Sequence, residues 1–150
     1  MAQPFLNQKP FPYCPGCGHS LILKGLAKAL ESLEIDPLDV VLVSDIGCCG
    51  LIDGLVNCHA VHGLHGRSTA LAQGVAMSLA DPRKKVLAVL GDGGATIGLQ
   101  HLLVAARYNI DMTIILHNNL VYGMTGGQRS GLSPQELGER ASDAAVVPPM

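Results

Sequence analysis

Gly91 to Gly127 reads GDGGATIGLQHLLVAARYNIDMTIILHNNLVYGMTGG, and this stretch decides the fold. An apolar strand, Val86 to Leu90, runs into Gly91-Asp92-Gly93. From Ala95 to Tyr108 apolar residues recur at helical spacing for about four turns. A second strand, Met112 to Leu116, delivers Asn118-Asn119. Strand, helix and strand make a βαβ unit, whose crossover leaves the two strands parallel. Both polar motifs then emerge at one carboxyl edge, where open α/β sheets bind their ligands.

The chemistry follows from that placement. Asp92 is a hard oxygen ligand, Asn119 offers an amide carbonyl, and the turn beyond presents a main-chain carbonyl at Val121. Mg²⁺ takes such an incomplete oxygen set and completes its octahedron with phosphate oxygens and water. Gly93 and Gly94 let the backbone approach a phosphate, and a helix start at Ala95 points free N–H groups the same way. These residues point to a diphosphate bridged to protein by Mg²⁺. The bland alternative, a packing turn with a solvated Asp, does not explain why both ends of the motif share one βαβ unit.

GDG followed by NN at this separation resembles the thiamine-diphosphate binding motif. The continuation NNLVYGMTGGQ resembles, more narrowly, the thiamine-binding (beta) subunit of the 2-oxoacid:ferredoxin oxidoreductases. The resemblance covers nearly all of this chain but only part of that subunit. It implies an α/β fold, a parallel sheet with flanking helices, forming a pyrophosphate-type thiamine-diphosphate-binding domain across residues 1–150. It implies Mg²⁺ ligation by Asp92, Asn119 and the carbonyl of Val121. Cofactor contacts are expected from Gly47, Cys48, His65, Gly91, Asp92, Gly93 and Gly94, and from Asn119, Val121, Tyr122, Gly123, Met124 and Thr125. His65 and Arg67, in the segment HGR, are the candidates for direct catalytic roles. Arg67 would hold a substrate carboxylate or a cofactor phosphate by charge-assisted bonds; a helix-start Arg paired with a surface acid is the alternative.

The implied reaction is oxidative decarboxylation of a 2-oxoacid to acyl-coenzyme A and CO₂, with electrons passed through an iron–sulfur cluster to ferredoxin. Pyruvate, 2-oxoglutarate, branched and aryl oxoacids all remain open as substrates. Activating thiamine needs a Glu against its aminopyrimidine ring. Glu31, Glu34, Glu136 and Glu139 lie on helix faces or in the tail, so the resemblance implies that a partner subunit's pyrimidine-binding domain supplies it. The same resemblance implies [4Fe–4S] ligation by Cys14 and Cys17 of CPGCGH and by Cys48. A cubane needs four ligands, usually thiolates, and no cysteine follows Cys58. Cys49 is expected beside the cluster rather than on it. Structural Zn²⁺ held by the Cys-x-x-Cys pair, a third thiol and His19 or His59 is a second reading. Inert, buried thiols are a third, above all for Cys58. Two functional alternatives follow: a thiamine-dependent decarboxylase or synthase subunit without a cluster, and a zinc-stabilised binding subunit without catalysis.

Composition bounds these readings. A chain of 150 residues suits one domain with a sizeable core. Only 3% of residues are aromatic, Trp is absent and the net charge is −2. That excludes a stacking platform or a basic footprint for nucleic acid. Residues 1–13 are proline-punctuated and expected to lie extended over a surface, without the pattern of a secretory signal. No apolar run approaches the ~20 residues of a membrane span, so a cytoplasmic protein is expected, its cysteines serving metal or redox chemistry.

Elsewhere, Ser20 to Leu33 reads as a helix with Ser20 as N-cap, and Asp39 to Ser44 as a buried strand. Leu51 to Ala60 remains unassigned. Ala70, Ala72, Gly74 and Ala76 imply a helix packed very close to a neighbour and ended by Asp81-Pro82. His101 and His117 are expected to be structural. Ser133 to Arg140 reads as a short polar helix. Three strands leave open edges, which a partner or further chain must cover.

Overall fold

The computed structural model describes residues 3–134, and its centre is a pair of strands covered on both faces. β1 (Val40–Ser44) and β3 (Lys85–Gly91) are continuous apolar runs rich in valine, as strands buried on both sides require. They pair in parallel, Val40 opposite Lys85 and Ser44 opposite Val89. β4 (Thr113–His117) lies beyond β3, with Gly91 opposite His117. β2 (His59–His62) lies beyond β1, so the sheet order is β2-β1-β3-β4. The chain therefore leaves β1 to one side and returns on the other. That reversal opens a crevice outside the carboxyl ends of β1 and β3.

Alternate side chains of the central strands serve opposite layers. Val40, Leu42, Leu87 and Val89 pack with Leu23 and Leu30 of α1 (Gly18–Ser32) on one face. Val43, Val86 and Ala88 pack with Ala72 of α2 (Ser68–Ser78) on the other. Leu23 and Leu42 are wholly buried, each stabilising the fold by about 1.5–3 kcal/mol before ordering costs. The N-terminal segment is extended, as expected, but it also contributes to the core. Phe5 is buried, and Leu6 bridges Val56 in antiparallel fashion.

Several expectations need correction. α1 starts at Gly18 with Cys17 as N-cap, because the Cys14–Cys17 turn runs straight into the helix through Cys17 N–H to Cys14 O at 3.0 Å. Ser20 is already in its first turn. The helix after β3 starts at Asp92 rather than Ala95, and it is two pieces, α3 (Asp92–Ile97) and α4 (Leu99–Arg107). They break at Gly98, where the Gly66 carbonyl oxygen occupies the space a Cβ would take. Leu51 to Ala60 resolves into a 3-10 segment (Cys48–Leu55) and strand β2. Every residue of β2 is exposed; the strand is held by His62 Nδ1, 2.5 Å from Asp53 and 3.1 Å from Ser44 Oγ. In α2 the close packing is carried by Ala72, whereas Gly74 is open to its surroundings, with no atom within 4 Å of where a Cβ would stand. The polar helix expected over Ser133 to Arg140 lies almost wholly outside the described residues.

Gly98→Ala is expected to destabilise the fold by about 1–3 kcal/mol through overpacking against backbone. Gly74→Ala should stabilise α2 by about 0.5–1 kcal/mol. Urea unfolding of both variants checks the contrast.

Candidate functional site

The reversal of strand order is occupied by a cavity of about 380 Å³. Its floor is the turn from β3 into α3. Asp92 is 5% exposed and its Oδ1 accepts a bond from Gly93 N–H at 2.9 Å, while Oδ2 is buried with no partner. A buried carboxylate oxygen left unpaired costs about 1–3 kcal/mol or more, so Oδ2 is an acceptor that could take a ligand atom. β4 delivers the second donor. Asn118 Oδ1 accepts from Leu120 N–H at 3.1 Å and Asn119 Oδ1 from Val121 N–H at 3.2 Å. These two turns hold Leu120 at φ +67°, a left-handed conformation that costs a branched side chain about 1–2 kcal/mol. Asn119 and Val121 line the same cavity as Asp92. Carboxylate, amide and main-chain carbonyl form an all-oxygen donor set, and it fits Mg²⁺ carrying a diphosphate.

Gly91, Gly93 and Gly94 line the same floor. Two of them are glycines for protein reasons as well as for ligand approach. A Cβ on Gly93 would lie 3.1 Å from the Tyr122 ring, and one on Gly94 would lie 2.7 Å from the Asp45 carboxylate. Tyr122, Gly123, Met124 and Thr125 close the cavity from a short hairpin, β5 (Val121–Tyr122) and β6 (Gln128–Arg129). Gly131 N–H donates to Tyr122 Oη at 3.3 Å, and Thr125 Oγ1 to Gln128 Oε1 at 2.6 Å, folding this loop back on itself.

The other wall comes from the loop after β1 and from two histidines. Ile46, Gly47, Cys48 and Cys49 line it. His19 stacks on Tyr13 at 5.3 Å and meets His117 at 5.0 Å. Burial lowers both imidazole pKa values, His117 to about 4, with the neighbouring His19 adding to the effect. At neutral pH both rings are uncharged, and neither nitrogen of His117 has a partner. His117 is thus part of the cavity, although its strand position gave no sign of it. His65 also lines the cavity, its Nδ1 2.8 Å from Asp45 Oδ1. Asp45 is not singled out in the sequence, where a polar residue directly after an apolar strand gives no sign of whether it is buried. Arg67 does not line the cavity. Its Nη1 donates to Gly66 O at 3.1 Å from the start of α2.

Over residues 45–148 the chain matches the family described as "Thiamine pyrophosphate enzyme, C-terminal TPP binding domain". The chain belongs to that family. This TPP-binding domain is 42% identical over 139 residues to 2-oxoglutarate synthase subunit KorB of Methanocaldococcus jannaschii, covering 92% of this chain and 50% of the relative. It is 46% identical over 121 residues to 2-oxoacid:ferredoxin oxidoreductase subunit beta of Saccharolobus solfataricus, covering 79% and 39%. A solved 2-oxoglutarate:ferredoxin oxidoreductase from Magnetococcus marinus, with 2-oxoglutarate, coenzyme A and succinyl-CoA bound, superposes with a TM-score of 0.79 at 38% identity. That match covers 84% of this chain and 43% of the solved one. The TPP-binding domain spans about half the length of its relatives, and its parallel sheet with flanking helices is theirs.

The thiols of this TPP-binding domain fit a cluster less well than the oxygens fit Mg²⁺. Cys48 lines the cavity, and burial, then nearby Cys17 and Cys14, push its thiol pKa up. Cys17 Sγ lies 3.2 Å from His19 Nδ1, and Cys14 is exposed. Neither Cys14 nor Cys17 lines the cavity. Among the described residues no three Cys, His, Asp or Glu side chains are gathered closely enough to hold a metal ion, which also counts against the zinc reading. Cys49 and Cys58 are neutral thiols, burial pushing them up to about 12 and about 11. No helix among the described residues is long and apolar enough to cross a membrane.

Because thiolate is the reactive form, iodoacetamide at pH 8 is expected to label exposed Cys14 first and Cys49 and Cys58 last. Peptide mass spectrometry over a time course checks that order.

Proposed function

We propose that this chain is the thiamine-diphosphate- and Mg²⁺-binding part of the beta subunit of a 2-oxoacid:ferredoxin oxidoreductase. The assembled enzyme would convert a 2-oxoacid and coenzyme A to acyl-CoA and CO₂ and pass two electrons to ferredoxin. The observation that carries this reading is the unpartnered, buried Oδ2 of Asp92 in a cavity that Asn119 and Val121 also line. The family match and the names of the relatives support the cofactor and the substrate class. The ligands of the Magnetococcus marinus enzyme support 2-oxoglutarate and coenzyme A as the first substrates to try.

The bound cofactor would supply the carbanion equivalent that lets a 2-oxoacid lose CO₂. The residues of this chain have simpler tasks. Asp92, Asn119 and the Val121 carbonyl would hold Mg²⁺, and the Gly91–Gly94 turn would lie along the diphosphate. Ile46, Ile97 and Tyr122, which line the cavity with His65, would help exclude water from it. Glu31 and Glu34 do not line the cavity, and Glu136 and Glu139 lie outside the described residues. A partner subunit carrying the pyrimidine-binding domain would therefore provide the activating Glu. Cys14, Cys17 and Cys48 are three of the four thiolates that a [4Fe–4S] cluster needs, so they carry no step by themselves.

Asp92→Asn should weaken thiamine diphosphate binding in the presence of Mg²⁺ by at least about tenfold, measured by calorimetric titration of the subunit with its partner. Chelation with EDTA should release cofactor from the unmodified protein. Unchanged affinity in both experiments would remove this reading.

A further inference from the structure

We infer that Asp45 is a positioning residue: its buried carboxylate fixes the tautomer and orientation of His65, so that Nε2 faces the cavity as a hydrogen-bond acceptor. The carboxylate lies at the carboxyl end of β1 and is wholly buried. Asp45 N–H donates to Val89 O at 2.9 Å, which extends the β1–β3 pairing one residue past the strand and leaves the side chain little freedom. Ile46 N–H donates to Oδ1 at 2.7 Å and Gly66 N–H to Oδ2 at 3.0 Å. Gly94 packs directly over the group, with no room for a Cβ.

The remaining contact is His65 Nδ1, 2.8 Å from Oδ1. A carboxylate oxygen offers only lone pairs, so Nδ1 carries the hydrogen and Nε2 of the neutral ring is left with its lone pair. The imidazole is 46% exposed although its anchor is 1% exposed. Its Cε1 lies 3.4 Å from where a Cβ of Gly93 would stand, beside the floor of the cavity. The loop is already tied down without the imidazole, by Gly66 N–H to Asp45, by Gly63 N–H to Ser44 O at 2.8 Å and by Ser68 Oγ to Ser44 O at 2.9 Å. The imidazole contact adds something the loop does not require, a defined ring face and a defined proton position. Nε2 in this state suits a ligand hydroxyl or amine rather than a bare phosphate oxygen, which would need a donor.

This inference rests on the reading of the cavity as a thiamine-diphosphate site, and the experiment separates the two. The full chain is labelled with [¹⁵N]histidine, and the His65 signals are assigned by their loss in His65→Gln. The wild-type spectrum should show Nδ1 protonated and Nε2 bare, and Asp45→Asn should shift the proton to Nε2. In the enzyme assembled with its partner, Asp45→Asn should lower kcat about 10- to 100-fold while the affinity for thiamine diphosphate changes less than about threefold. The same substitution in a His65→Gln background should cost nothing further, as expected for residues acting as one unit. A wild-type His65 protonated on Nε2 overturns the inference, as does an Asp45→Asn penalty of equal size in both backgrounds. If Asp45→Asn does not fold, the wild-type spectrum alone decides. Failure of the wild-type protein to bind thiamine diphosphate would sink the cofactor reading and leave the tautomer measurement standing.

Discussion

The cavity exists because β1, β3 and β4 end in a fixed register. Ser44 lies opposite Val89, and Gly91 lies opposite His117. Those pairings bring Asp45, Asp92 and Asn119 to one edge, although each leaves the sheet from a different strand. A slip of one residue in β3 would turn Val86 and Ala88 toward the α1 layer and Leu87 and Val89 toward α2. The two layers differ in size, leucine-rich against α1 and alanine-rich against α2, so a slipped register packs badly on both faces. Core packing and site geometry are thus set by the same contacts.

Between the layers, absent side chains matter as much as present ones. The Gly66 carbonyl passes so close to Gly98 that the helix after β3 divides there. The Asp45 carboxylate fills the space beside Gly94. Glycine-rich turns near phosphates are commonly explained by the ligand's need for backbone approach. Here the protein's own groups, the Tyr122 ring beside Gly93 and the Asp45 carboxylate beside Gly94, occupy part of that space.

The central architecture was legible because β1 and β3 are unbroken apolar runs and because GDG and NN sit one helix apart. Apolar periodicity also located α1 and α2 to within a few residues. It could not show β2, since every residue of His59-Ala60-Val61-His62 is exposed, and the strand is held by its pairing with β1 and by polar bonds to Ser44 and Asp53 rather than by burial. Nor could it show the break at Gly98, which is caused by a segment some thirty residues earlier in the chain (on the order of a helix and a strand). Asp92, Asn119 and Val121 could be nominated because their chemistry is written in a local motif, and all three line the cavity. Asp45 and His117 escaped because nothing local distinguishes a buried polar residue at a strand end from a solvated one. Arg67 follows His65 by two residues, yet its side chain turns back to the Gly66 carbonyl.

The parallel pairing has a kinetic consequence. Each rung between β1 and β3 joins residues as distant as Val40 and Lys85, so a long loop must close before those contacts repay its entropy. Sheets of this kind fold slowly and expose apolar strands while they wait. During that interval the edge of β4, with Ile114 and Ile115 still half-covered in the finished domain, is the surface on which newly made copies would adhere to one another. Rapid engagement of that edge by neighbouring polypeptide would protect yield in the cell more than any gain in the final stability of the core.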